Sequence, residues 1–280
     1  MRTKRFFPAA IAAVGVAALA LGADAQESTN VPAATLPGPG LVMYRSMVRY
    51  ESFDGAPGGG EGETDRLRFM HHVTYGIRPE LGAFAEVSVV DRDIDSPAGE
   101  ESDTGLTDSR LGLLYRFYRH DFGPIETVRV SAEASVRLPT GTDEFSSDTV
   151  NPALGLRATS ILGRHGINAA ARYELTTGES DDPLDAGDTL ADSLMLSGGH
   201  LYRLWPASFV GGGSVALYSQ VELLGQLETN GDASLDGAIG LLVEAPRWAA
   251  EMSVILPIAE DLEDRPDLEY GLAIGVRFLF

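Results

Sequence analysis

The last eleven residues, Tyr270-Gly-Leu-Ala-Ile-Gly-Val-Arg-Phe-Leu-Phe280, constrain the fold more than any other stretch of the chain. Every second residue counted back from the end is large and apolar: Phe280, Phe278, Val276, Ile274, Leu272 and Tyr270. The intervening register carries Leu279, Arg277, Gly275, Ala273 and Gly271. A period of two with one apolar face marks a β-strand that touches something apolar on one side. Aromatic residues at both ends of the stripe suit a strand that crosses a bilayer, with its rings at the two interfaces.

The alternation recurs from Leu41 onward, over about 41–52, 66–77, 81–90, 107–117, 127–138, 153–162, 167–176, 190–202, 216–227, 235–244 and 249–258. The clearest case puts Val128, Val130, Ala132, Ala134, Val136 and Leu138 on one face and Thr127, Arg129, Ser131, Glu133, Ser135 and Arg137 on the other. Only the 190–202 segment does not declare its face. With the C-terminal strand this makes about twelve, an even number, as in single-chain bacterial barrels. The connections alternate too. Those after odd-numbered strands are long and acidic: Asp54 to Glu63, Asp91 to Asp103, Asp143-Glu144, Glu179 to Asp188 and Glu260 to Asp264. Those after even-numbered strands are mostly short, as in Arg78-Pro79-Glu80 and Pro246-Arg247, with Leu204–Val215 the exception. Short periplasmic turns and long external loops give that asymmetry. A secreted β-sandwich would also alternate, but it does not explain charges on one face of strand after strand. The expected class is all-β: a transmembrane antiparallel up-and-down β-barrel of about 12 strands over residues 41–280.

The beginning of the chain fits export. Met1-Arg-Thr-Lys-Arg5 is basic, Ala9 to Leu21 is apolar, and Ala23-Asp24-Ala25 has small-x-small spacing. Residues 1–25 therefore read as a signal peptide, with Gln26 first in the mature chain. No later segment has the roughly 20 apolar residues of a spanning helix. Residues 26–40 read as an irregular periplasmic segment before the barrel. Without Arg2, Lys4, Arg5 and Asp24, 18 basic residues face 40 acidic ones, a net charge of −22. That sign argues against a nucleic-acid partner. Cysteine is absent, and a chain of this length needs no disulfide staple.

The polar faces set the candidate lumen. They carry Arg45, Arg49, Arg66, Arg68, Arg110, Arg116, Arg129, Arg137, Arg157, Arg172 and Arg277, with Glu86, Asp108, Glu133 and Glu174 among the acids. One reading is a ladder of ion pairs that holds the barrel together. The other is a pore lining that sorts a small-molecule solute. Small inward residues, Gly112, Gly155, Ala273 and Gly275, would leave room for it. The acidic loops offer a further alternative, a closed structural or adhesive barrel that works from its outer surface. Ser46 on one strand and His71 on the next could meet on the outer face, as a lipid hydrolase would need, but no nucleophile elbow accompanies them. His120, His165 and His200 form no metal-ligand spacing, and no cofactor is expected. Gly58-Gly-Gly60 has no following lysine or helix and is not a phosphate cradle. Trp205, Trp248, Tyr75, Tyr115 and Phe117 read as an interfacial belt.

Four short segments resemble the meta-pathway phenol-degradation family of outer-membrane proteins, which are described as transporters. They are Leu36-Pro-Gly-Pro-Gly40, Ser135-Val-Arg-Leu-Pro-Thr-Gly141, Tyr202-Arg-Leu-Trp-Pro206 and the Phe280 terminus. The resemblance implies a barrel of about twelve strands and uptake of small aromatic or hydrophobic molecules. The terminal strand also resembles the one that the barrel assembly machinery reads in bacterial outer-membrane proteins. The expected partners are that machinery, outer-membrane lipid and a solute.

Overall fold

The computed structural model describes residues 26–57, 60–123, 125–178, 191–209, 215–263 and 265–280. The signal-peptide reading, the 179–188 loop and part of the Leu204–Val215 connection fall outside them. Thirteen strands form one antiparallel sheet: β1 Val42–Ala56, β2 Gly60–Arg78, β3 Leu81–Ser96, β4 Gly99–Leu106, β5 Ser109–Asp121, β6 Thr127–Leu138, β7 Asn151–Leu162, β8 His165–Glu174, β9 Ser193–Trp205, β10 Ala216–Glu228, β11 Ala233–Glu244, β12 Trp248–Asp261 and β13 Asp267–Leu279. The sheet closes because β1 pairs with both β2 and β13. At the seam, Val42 N donates to Phe280 O at 3.1 Å and Phe280 N to Val42 O at 2.9 Å. A closed sheet leaves no unpaired edge, which is the condition for strands to cross a bilayer.

Twelve strands make the ring; β4 does not. The lower part of β3, Leu81–Glu86, pairs with β5, while Val89–Ser96 turns back on β4 as a hairpin above the ring. The acidic run Asp91–Asp103 is therefore mostly paired strand rather than the loop expected from sequence.

The two faces separate as the alternation requires. On β13, Ile274 is 62% exposed and its neighbour Ala273 0%. Val73, Val87, Leu113, Leu154, Val221 and Ile239 repeat this outward exposure around the ring. Such a surface is unsustainable in water but ordinary against hydrocarbon. Trp205, Trp248, Tyr75, Tyr115 and Phe117 all lie exposed, at the turn ends of their strands opposite the long loops. The ambiguous strand β9 turns Leu194, Leu196, His200 and Tyr202 outward and Met195, Gly199 and Leu201 inward. Its face was hidden because Leu201 belongs to an apolar cluster inside the ring, with Tyr218, Leu242, Ala216 and Ala249.

Residues 26–40 are irregular, but 26–35 lie inside the ring rather than below it. Ser28, Thr29, Val31, Ala33 and Ala34 are almost completely buried. The Leu36–Gly40 box is the crossover that feeds them in. Leu36 packs on Phe84 and Leu114, Gly40 N donates to Gly76 O at 2.8 Å, and Gly40 takes a positive φ of 79°. A Cβ on Gly76 would collide with the Pro37 and Gly38 carbonyls.

Candidate functional site: the lumen and its internal segment

The inner wall meets the N-terminal segment with polar groups and with glycines. Glu222, at the middle of β10, accepts from Asn30 N at 2.8 Å, Val31 N at 3.1 Å and Asn30 Nδ2 at 2.7 Å. Gln220 accepts from Thr29 N at 3.2 Å. Arg45 on β1 donates to Thr29 O at 2.5 Å and Ser28 O at 3.3 Å, and Arg49 to Asn30 Oδ1 at 2.6 Å. On the far side Asn168 donates to Gln26 O at 2.9 Å, and Ala34 N donates to Thr159 Oγ1 at 2.8 Å. The backbone groups of an irregular buried segment must find partners, and these side chains supply them. The wall also leaves backbone-sized room. A Cβ on Gly199 would lie 2.6 Å from Ser28 Oγ, and one on Gly166 2.5 Å from Gln26 Oε1.

Glu27 anchors the start of the segment. It forms an ion pair with Arg277 and accepts from Ala33 N at 3.2 Å. Burial pushes its carboxyl upward, but Arg277, Arg45, the Ala33 amide and Arg157 outweigh that and hold it at about 2. A depressed carboxyl contributes stability above its unfolded value, and that contribution is lost as pH falls through the folded value. The backbone amide signals of Val31 and Ala34 in micelles are thus expected to stay fixed from pH 7 to about 4 and to shift only as pH nears 2. A shift centred near the ordinary carboxylate value would show that the latch is not formed.

Above the segment lies a cavity of about 470 Å³ that extends to the outer loops. Among the described residues, nine arginines line it against seven carboxylates, although the whole chain carries −20. Arg45, Arg49, Arg66, Arg68, Arg110, Arg137, Arg157 and Arg172 are on that lining, with Glu86, Asp108 and Glu133. Met43, Met47, Met70 and Met195 supply its apolar part, with Phe53, Phe84 and Phe145. Several charges are paired across the wall: Arg157–Glu133 at 2.5 Å, Arg137–Glu174 at 2.7 Å, Arg66–Glu51 at 2.8 Å and Arg45–Glu251 at 2.7 Å. Others are held more loosely. Arg110 stands 3.6 Å from both Glu86 and Glu174, and Arg172 3.5 Å from Glu174. Ladder and lining thus coexist in one shell.

Three of the expected lumen residues lie off the large cavity. Arg116 keeps the inward parity, opposite Ser131, but it stands near the periplasmic end of β5, where it donates to Pro79 O. Arg129 and Arg277 line a smaller cavity of about 50 Å³ below the segment, beside Trp248 and Glu244. Asp108 touches the large cavity, but its carboxylate is occupied. It accepts from Thr140 N and Gly141 N at 3.1 and 2.9 Å, from Ser146 Oγ at 2.9 Å, and from Ser147 N and Oγ at 2.9 and 2.5 Å. The Ser135–Gly141 box is therefore the foot of a folded loop that carries Phe145 over the cavity. The small residues that were expected to leave room do not. A Cβ on Gly112 would meet the Phe84 ring and one on Gly275 the Glu251 carboxylate.

The outward pair also resolves. The register sets Ser46 opposite His71, but His71 Nδ1 bonds Tyr44 Oη at 2.8 Å. Glu101 and Asp103 of the external hairpin approach Glu144 of the β6–β7 loop, and Glu144 pairs with Arg92 at 2.8 Å.

A closed ring with an apolar outside, an aromatic belt and a polar inside defines the class: a β-barrel of the bacterial outer membrane. The pattern of the family described as "Putative MetA-pathway of phenol degradation" matches residues 51–261, so the chain belongs to that family. Its fold is similar to an outer membrane channel from Pseudomonas putida F1, at 12% identity and a TM-score of 0.60, covering 92% of this chain and 100% of that one. It is also similar to the β-domain of the Bordetella autotransporter BrkA, at 12% identity and a TM-score of 0.51, covering 86% and 100%. No curated protein sequence matches the chain.

Proposed function

We propose that this protein is a non-enzymatic channel that passes small molecules across the outer membrane, and that residues 26–35 close it in the state described. The observation that carries this reading is the cavity: a basic, methionine- and phenylalanine-lined space inside a strongly acidic chain. A lining of that kind suits small solutes that combine an apolar or aromatic body with a negative group. Export by residues 1–25 and assembly through the Phe280 terminus belong to the same proposal. The closed-barrel alternative draws on one feature, the projecting β2–β3–β4 blade. Its outward carboxylates oppose one another directly, as in Glu63–Asp95 and Asp65–Asp93.

Planar-bilayer recordings separate the two readings. The full-length mature protein is expected to show rare, small openings, and a form lacking residues 26–35 sustained conductance. A silent membrane with both forms would refute the channel and leave the blade as the working part.

A further inference from the structure

The segment that fills the lumen carries its own anion. Glu27 is buried, and among the described residues it is the carboxylate in ion-pair contact with Arg277. Arg277 is itself buried, and among the described residues its second terminal nitrogen, Nη2, meets no hydrogen-bond partner. Arg45 stands on the neighbouring strand, directly opposite Arg277 in register. It spends one nitrogen on Glu251 and another on the Ser28 and Thr29 carbonyls. Two guanidinium groups therefore converge on one short stretch of internal chain. Everything that stretch offers them is an acceptor: a carboxylate and two carbonyl oxygens. Withdrawing the segment would strip Arg277 of its carboxylate and Arg45 of both carbonyls. Glu251 keeps its contact with Arg45 and, with Glu244, still acts on Arg277, but both guanidinium groups would be left with unmet N–H donors, which a small carboxylate would fill.

We infer that Arg45 and Arg277 form the anion-binding station of the lumen, and that Glu27 occupies it as an internal stand-in for a small organic carboxylate. This rests on the channel reading given above. The segment and the solute then compete for the same two side chains, so arrival of the solute favours release of the segment. Met43 and Met47, beside Arg45 on β1, give the body of such a solute a polarizable apolar surface. The hinge for release is the Gly38–Gly40 crossover, which stays attached to β2 through Gly76.

Benzoate is the probe. Calorimetric titration into detergent-solubilised protein compares the wild type, Glu27→Gln, and Glu27→Gln combined with Arg277→Gln. Removing the internal competitor is expected to strengthen benzoate binding at least about tenfold. The second substitution should abolish it, and Glu27→Gln with Arg277→Lys, which keeps the charge, should retain part. Equal affinity in the wild type and Glu27→Gln overturns the inference. So does unchanged binding after Arg277→Gln. Bilayer recordings on the same samples keep the two proposals apart. Glu27-controlled binding without any conductance preserves the station and removes the channel; conductance with Glu27-independent binding does the reverse.

Discussion

Ile274→Arg is expected to destabilise the folded barrel by about 2–4 kcal/mol, the cost of an arginine on the lipid face near the bilayer midplane. Ile274 is 62% exposed at the middle of β13, so in a protein surrounded by water this change would be close to neutral. The control lies on the same strand. Glu269 stands exposed at its outer end, and Glu269→Arg should cost only about 0–1 kcal/mol because the interface tolerates charge. Reversible unfolding in urea from lipid vesicles measures both. A flat response along the strand would mean that the apolar face does not meet hydrocarbon.

Glu222→Ala is expected to release the N-terminal segment without unfolding the barrel. Glu222 is 1% exposed and takes three N–H donors from residues 30 and 31. Hydrogen bonds to a charged group contribute about 1.5–3 kcal/mol each, and buried donors left without a partner add to the cost. A net loss of only about 3 kcal/mol raises the released fraction on the order of a hundredfold. The strands keep their own ladder, so the unfolding midpoint should hardly move. Hydrogen exchange at Asn30 and Val31 measures the release, with Leu242 on the inner wall as the protected reference. Unchanged exchange at residues 30 and 31 would show that the segment is held by something other than this carboxylate.

The alternation of β13, β6 and β10 made the ring legible in the sequence. In a barrel the solvent differs on the two sides of every strand, so each residue reports its own face. The internal segment was not legible. Val31, Pro32, Ala33 and Ala34 have no period, because a chain inside a lumen is surrounded on all sides and needs no face. Its partners were disguised as well. Glu222 and Gln220 stand on a polar face like many others in these strands, and nothing in the sequence marks Gly166 and Gly199 as the places that meet the segment. Asp108 misled for a similar reason. Its charge promised a pore, but five donors from a loop more than thirty residues away consume it. Arg116 has the expected inward parity, but its place near the turn end of β5 commits its guanidinium to Pro79 O rather than to the large cavity. The pairs Arg157–Glu133 and Arg137–Glu174 were the legible part of the site, since they join faces already known to point inward.

The most direct test of the account is a nitroxide scan of β13 in lipid vesicles, one label at a time from position 270 to 279. Collision with dissolved oxygen, which concentrates in hydrocarbon, is predicted to alternate, high at 272, 274 and 276 and low at 271, 273 and 275. Highest collision at the even positions with a water-soluble nickel chelate instead, or no alternation at all, would contradict it.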